Sequence, residues 1–402
     1  MELLKAYKPL RAFLLTLTSL ILAATGATTV LAQESSPLSG GPAAAKPTAP
    51  ASLAGDFKAA IVIDASTGLT LVANKETVRR QPASMLKMMT ELIVLEHIAE
   101  NDLKLDEKVR VSAKASNMGG SQVYLKHNEV FTVEELLQAL AIHSANDAAV
   151  ALAEHLAGST DAFIDLMNMR AKNMGMSDTE FHTVHGLPPG WRQKPDLTTA
   201  RDMAILAREL VKHDQALEWA ATKTAPFRDG EFTLYNPNKL VGNYRGLDGL
   251  KTGYTGPAGF CVTATAKQKN QRLISVVMGC SSDKARATET TRLLTYGFNM
   301  YKQLPVIAAH GEPLAEPVAV KGGKKKTVPV TYGQTLTVSV PKDREGDVVV
   351  QNRIDEPVQA PFGAGTAVGR AVVLLDGIEL GSVPIVTLEE VAKGNWLNRL
   401  LK

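Results

Sequence analysis

Cysteine is nearly absent: Cys261 and Cys280 are the two in 402 residues. Disulfides therefore do not hold this chain together, and burial of an apolar core must. A surplus of one charge is missing too. With 44 basic and 41 acidic side chains the chain carries +3, too little to argue for a nucleic-acid partner. Apolar runs of the ~20 residues that a bilayer-spanning helix needs are also lacking; the nearest is AFLLTLTSLILAA at the N-terminus. Lys5, Lys8 and Arg11 precede it, and small residues ending in Val30-Leu31-Ala32 follow it. That layout reads as a secretory signal, residues 1–32, cut after Ala32, with an uncleaved anchor as the rival reading. Across 33–54, QESSPLSGGPAAAKPTAPASLA, large apolar side chains are scarce. Such a stretch cannot offset the entropy of ordering and reads as a disordered spacer.

What is present is an ordinary globular composition, 45% hydrophobic, and length enough for two or three domains. DFKAAIVIDASTGLTLVANK reads as two strands about a Ser-Thr-Gly turn. PASMLKMMTELIVLEHIAE follows as a helix apolar on nearly every side, which belongs in the middle of a domain. Thr132 and Glu135 are spaced for a capping box ahead of VEELLQALAI, and NDAAVALAEHLAGS continues helically to Gly158. GFCVTATA and RLISVVMGC read as a hairpin about KQKNQ. Its two cysteines share a face; a bridge requires them to be directly opposed, and otherwise they are free, buried thiols. ATETTRLLTYGFNMY reads as a closing helix. Strands at both ends with helices between imply an α+β domain, 55–303, with one antiparallel sheet built from both termini. Over 304–386, short β-branched runs alternate with Gly, Pro and Asp, including a tight Asp376-Gly377 hairpin, and imply a small all-β sandwich. Its Lys321, Lys324, Lys325 and Lys326 read as a solvated loop. A short tail, 387–402, follows.

The stretch ALAIHSANDAAV, residues 139–150, breaks two apolar helices with Ser144-Ala145-Asn146. A serine hydroxyl becomes a useful nucleophile only with a base in reach. Ser84 and Lys87, three apart at a helix start, share one face. An ammonium in an apolar helix loses pKa by desolvation, which leaves a neutral amine to act as that base. Ser-x-x-Lys recurs at Ser281 to Lys284 and at Ser339 to Lys342, in polar or Pro-containing loops with no buried helix to tune the lysine. Specificity comes from order: Ser84-Met85-Leu86-Lys87, then Ser144-Ala145-Asn146, then Lys251-Thr252-Gly253. His182 and His185 are three apart, a spacing common by chance, so neither a metal nor another cofactor is expected.

In those three motifs the chain resembles the penicillin-recognising serine enzymes. Through ASMLKMMT, HSANDAAVALAEHL, HTVHGL, LDGLKTGYTGPAGFCVTATA, RLISVVMG and the β-rich tail domain, it is most similar to the low-molecular-mass penicillin-binding proteins that act as D-alanyl-D-alanine carboxypeptidases. The resemblance implies a β-lactamase/transpeptidase-like domain, an antiparallel sheet flanked by helices, followed by the small β domain. It implies that Ser84 is the nucleophile, that Lys87 takes its proton, and that Ser144 relays a proton to the leaving amine. Asn146 would bind the substrate amide and help orient Lys87. Lys251 and Thr252 would meet the substrate's terminal carboxylate from an edge strand that includes Gly253, with Arg286 near the carboxylate end. The backbone N–H groups of Ser84 and Tyr254 would form the oxyanion hole. Peptidoglycan pentapeptide stems are the implied substrate, β-lactams the implied covalent inhibitors, and the periplasm or the outer face of the cytoplasmic membrane the implied location. Ala145, where glycine is common, Tyr254, where histidine often follows, and Pro188, where an acid is expected, depart from the family's pattern and bear on substrate preference.

Rival activities leave different marks. A β-lactamase carries its acid in a Glu-x-x-Leu-Asn loop, whereas Glu154, Asp161, Asp165, Asp178 and Glu180 all lie outside such a context. A DD-endopeptidase of this class usually lacks the β-rich domain. A catalytically silent wall-binding protein is free to lose a motif residue, and none is lost. In the terminal GNWLNRLLK, Trp396, Leu397, Leu400 and Leu401 fall on one helical face and Asn395, Asn398, Arg399 and Lys402 on the other. Peripheral contact with a membrane is expected there, the alternative being a short surface tail.

Overall fold

The computed structural model describes residues 51–188, 190, 193–309 and 311–394. The expected signal, the expected spacer up to residue 50, and the amphipathic tail from Asn395 lie outside the described residues.

The alternating runs form the expected sheet. Strands β1 (Ala59–Asp64) and β2 (Thr70–Asn74) come from the N-terminal side, and β3 (Leu247–Thr255), β4 (Gly259–Gln268) and β5 (Gln271–Cys280) arrive late in the chain. Their spatial order is β2-β1-β5-β4-β3, antiparallel throughout. This order leaves β3, with Lys251-Thr252-Gly253, at an edge. Cys280 stands opposite Phe260, and the register shifts between Phe260 and Val262. The cysteines are therefore not directly opposed, and both are free and buried.

Helix α1 (Lys87–Ala99) fills the middle of the domain, with Lys87 through Leu95 all buried. Around it pack α2 (Val133–Ile142), α3 (Asn146–Ala157) and α4 (Ala200–Leu210). Both arms of the capping box at α2 are made: Glu135 N donates to Thr132 Oγ1 at 3.1 Å and Thr132 N to Glu135 Oε2 at 2.6 Å. Helix α3 ends at Gly158, whose φ of +77° suits a residue without Cβ. On the opposite sheet face α5 (Asp283–Met300) buries Leu293 and Leu294 against Val62, Leu71 and Leu273. This closing helix starts earlier than its apolar pattern indicates, because the Ser282 side chain accepts from Ala285 N and caps it.

The strand Tyr301–Ile307 runs across the expected 303/304 junction and pairs with Leu336–Pro341. The β domain that follows packs Val318, Val328, Val330, Val338, Val340, Val373 and Ile385 in its own core. Asp376 and Gly377, with φ of +53° and +79°, make the two-residue turn between Ala367–Leu375 and Ile378–Thr387. Asp64, buried at the end of β1, ties this domain to the sheet. Its Oδ1 accepts from Ser66 N and Thr67 N, each at 3.0 Å, and its Oδ2 from Gln303 Nε2 at 2.5 Å and Ser339 Oγ at 3.1 Å.

Candidate active site

The turn that carries Ser84 is strained. Ser84 lies on a 3-10 turn, Ala83–Leu86, not on the α-helix itself, and Ala83 adopts φ of +49°, a left-handed conformation costly for a residue with a Cβ. That turn delivers Lys87 as the first residue of α1. Lys87 Nζ lies 2.9 Å from Ser84 Oγ and 3.4 Å from Ser144 Oγ. Ser84 is half-buried, whereas Lys87 is 0% exposed. Burial holds the amine well below the usual lysine range; the charge of Lys251 acts in the same direction, and Asp147 opposes it. A neutral amine in hydrogen-bond reach of a hydroxyl is what a serine needs to become a nucleophile.

Ser144 sits in the elbow between α2 and α3 at φ of +67°. Ala145 N closes the elbow by donating to Ala139 O at 3.1 Å, and Asn146 N donates to Ser121 O at 2.7 Å. Asn146 Nδ2 donates to Gly119 O at 2.6 Å, while its Oδ1 is buried with no partner among the described residues. A buried acceptor without a partner is costly, which leaves Oδ1 ready for an N–H donor that reaches it. Ala145 itself is extended, φ −61° and ψ 124°, so glycine is not required at that position. Asp147, which sequence reasoning passed over, accepts from Val123 N at 3.0 Å and Leu125 N at 3.1 Å and so fixes the 119–125 loop to the head of α3.

Strand β3 forms the facing wall. A Cβ on Gly253 would stand 2.7 Å from Pro82 O and 3.1 Å from Ser84 N, so only glycine lets this edge approach the Ser84 turn. Lys251 and Thr252 are buried. Burial lowers Lys251 to about 7; Glu91 pulls the other way and Arg286 adds to the lowering. Tyr254 is 57% exposed, its ring 4.2 Å from that of Phe260. Arg286 reaches in from α5, donating from Nη1 to Cys261 O at 3.1 Å. The loop HTVHGL closes on the Ser84 turn: a Cβ on Gly186, at φ of +81°, would lie 2.2 Å from Ala83 O. His185 Nδ1 accepts from Leu187 N at 3.1 Å. Burial, then the charges of Lys87 and Lys114, lower its pKa to about 4, so it is neutral at pH 7. His182 contacts Glu180 at 3.0 Å.

The two other Ser-x-x-Lys pairs come apart. Ser281 Oγ donates to Asp56, Ser339 Oγ to Asp64, and Lys342 Nζ to Phe298 O at 3.0 Å. The motif residues Ser84, Lys87, Ser144, Asn146, Lys251, Thr252 and Gly253 come together where α1, the α2–α3 elbow and β3 meet, with Arg286 joining through β4. Two buried acids, Glu91 and Asp147, belong to the same centre. Glu91 was legible as an acid four residues after Lys87 in an apolar helix, and Asp147 as the acid following Asn146.

Comparison with known proteins points one way. Residues 44–282 match the family Peptidase S11, D-alanyl-D-alanine carboxypeptidase, and residues 303–393 match the Penicillin-binding protein 5, C-terminal domain. The chain is 36% identical over 352 residues to the D-alanyl-D-alanine carboxypeptidase DacF of Bacillus subtilis, covering 87% of this chain and 89% of that one. It superimposes on the crystal structure of penicillin binding protein 5 from Haemophilus influenzae with a TM-score of 0.75 at 29% identity, over 85% of this chain and 99% of that one. Penicillin-binding protein D2 from Listeria monocytogenes, in its ampicillin-bound form, matches at a TM-score of 0.56 and 32% identity, over 61% of this chain and 98% of its own.

Proposed function

Since this chain belongs to the Peptidase S11 family of D-alanyl-D-alanine carboxypeptidases, serine-type hydrolases, we propose that Ser84 carries the acyl group and that Lys87 is its base. Ser84 Oγ attacks the carbonyl of the penultimate D-alanine of a peptidoglycan pentapeptide stem while Lys87 Nζ takes the hydroxyl proton. The N–H groups of Ser84 and Tyr254 hold the developing oxyanion, and each such donor is worth about 10²–10³ in rate. Ser144, 3.4 Å from Lys87 Nζ, passes the proton on to the leaving amine, and the terminal D-alanine departs. Water then cleaves the ester and restores the hydroxyl. Asn146 Oδ1 takes a substrate N–H. Lys251 and Thr252 hold the terminal carboxylate, with Arg286 adding positive potential, and the edge of β3 offers free backbone groups for the peptide to pair with. A β-lactam opens by the same attack and stays on Ser84.

The contact that carries this reading is the 2.9 Å approach of a fully buried amine to the Ser84 hydroxyl. Residues 55–303 are proposed as the catalytic domain and 304–386 as an accessory β domain. Among the described residues no helix is long and apolar enough to cross a membrane. Export by residues 1–32, with peripheral attachment through the terminal GNWLNRLLK, is the proposed location; ahead of it, Val391 is buried in the β-domain core. The test incubates the exported form with a fluorescent penicillin and maps the labelled peptide, then supplies a muramyl pentapeptide and measures free D-alanine. Label on the peptide containing Ser84 together with D-alanine release is expected. Label elsewhere, or no D-alanine, contradicts the assignment.

A further inference from the structure

A cavity beside the HTVHGL loop takes no part in the steps above. It holds about 370 Å³, room for one long side chain, and is lined by Val150 of α3, Thr183 and His185 of the loop, Lys114, Thr160 and Asp161. Val150 stands one turn, about 6 Å, beyond Asn146 on α3. His185 precedes Gly186, which abuts the Ser84 turn at Ala83 O. A Cβ on Gly120 would lie 2.7 Å from Asn146 Nδ2 and 3.0 Å from Leu187 Cδ2, so Leu187 of the loop, Gly120 and Asn146 pack together. Among the described residues, β3 and α5 contribute nothing to the lining. The cavity therefore adjoins the Asn146 end of the centre rather than the Lys251, Thr252 and Arg286 end.

The loop wall is fixed before any ligand arrives. Asp196, 5% exposed, accepts from His182 N at 2.6 Å, Thr183 N at 2.9 Å and Thr183 Oγ1 at 2.7 Å. Thr183 Oγ1 in turn accepts from Gly186 N at 2.8 Å. Elsewhere on the lining two opposite charges stand without an ion-pair partner among the described residues. Lys114 Nζ donates to the neutral hydroxyl of Thr160, and Asp161 lies in the first turn of the helix Thr160–Asn173. Lys194 and His182, by contrast, share Glu180 at 3.7 and 3.0 Å. A lone anion in this cavity would meet the repulsion of Asp161, and a lone cation that of Lys114. A free amino acid head, carboxylate and ammonium together, satisfies both.

We propose that this cavity is a subsite for the side chain of the residue that precedes the scissile D-alanyl-D-alanine pair. It selects a diamino acid whose side chain ends in its own amino acid head, the carboxylate meeting Lys114 and the ammonium meeting Asp161, with Val150, Ile164 and Val184 against the methylenes. The peptide leads there. With its terminal carboxylate at Lys251 and Thr252 and its amide on Asn146, the preceding residue stands beside Asn146, and its side chain has one helical turn to cover. This subsite deepens the reading above and rests on it for the direction in which the peptide lies.

The experiment measures D-alanine release by the exported form from three acetylated peptides, X-D-alanyl-D-alanine, that differ only at X. X is 2,6-diaminopimelyl, which carries the amino acid head, lysyl, which carries the ammonium alone, or Nε-acetyl-lysyl, which carries neither charge. The diaminopimelyl peptide is expected to exceed the acetyl-lysyl peptide by about 10-fold in kcat/KM, the product of two partly solvated ion pairs worth about 3-fold each. Lys114→Met is expected to cost the diaminopimelyl peptide about 3-fold and to cost the lysyl peptide nothing, since that peptide has no carboxylate for it. Asp161→Asn is expected to cost both about 3-fold relative to the acetyl-lysyl peptide. Equal kcat/KM for the three peptides in the parent overturns the subsite while leaving the carboxypeptidase reading in place. So does a substitution that lowers all three alike, as loss of the Lys114–Thr160 contact would through the fold alone. No D-alanine from any of the three overturns the reading itself, and the subsite falls with it.

Discussion

Replacing Ser84 by alanine is expected to abolish covalent labelling by penicillin and to lower D-alanine release by about 10⁴-fold or more, since no acyl-enzyme can form. The structure makes this a sharp expectation, because the two rival serines are spent elsewhere: Ser281 on Asp56 and Ser339 on the buried Asp64 at the domain junction. Ser281→Ala is therefore expected to label normally. Persistent labelling of Ser84→Ala, read by mass spectrometry of the labelled peptide, contradicts the nucleophile assignment. The Ala83–Leu86 turn is half of that expectation. It holds a half-buried hydroxyl beside a fully buried amine, so the substitution removes the reacting oxygen without opening the core around Met85 and Leu86.

Lys87→Met is expected to slow acylation by about 10²–10⁴-fold, the usual contribution of a positioned base, while the melting temperature stays level or rises. The second half follows from the same burial. An unbranched apolar side chain of similar length relieves the desolvation of an amine that is 0% exposed. Activity and stability then move in opposite directions, as they do where a site holds a destabilising group for its chemistry. The pH dependence has a definite sign. Acylation needs the neutral amine, so the rate falls as pH drops through the folded-state pKa of Lys87, which burial sets well below the ordinary lysine value. The methionine variant has no such acid limb. Stopped-flow acylation across pH checks both points; a variant within about 10-fold of the parent rate, or one that keeps the limb, contradicts them.

Much of this arrangement is legible in the sequence because it rests on local rules. Alternation gives β1, β2, β4 and β5, the Thr132–Glu135 spacing gives the start of α2, and Asp376-Gly377 gives its hairpin. The three motifs announce themselves by residue type and order. What stays hidden depends on tertiary contact. The left-handed Ala83 and Ser144 are ordinary residues whose backbone is set by what packs over them, and no propensity marks them. Ala145 looks like a departure where glycine is common, yet its extended backbone asks for no glycine, whereas Gly253 and Gly186 are demanded by close approach to the turn before Ser84. Glu91 reads as one acid in an apolar helix, and nothing beside it in the chain shows that the fold buries it with Oε1 unpartnered among the described residues.

The central claim is that the Lys87 amine is neutral beside Ser84 at the pH of catalysis. Its direct test is an NMR titration of the protein carrying ¹³C at the lysine ε-carbons, with the Lys87 signal assigned by its loss in Lys87→Met and the Lys251 signal by its loss in Lys251→Met. Lys87 is expected to titrate well below 10.5, so that the amine beside Ser84 is neutral where acylation proceeds. A Lys87 signal that titrates near 10.5, the ordinary lysine value, contradicts it.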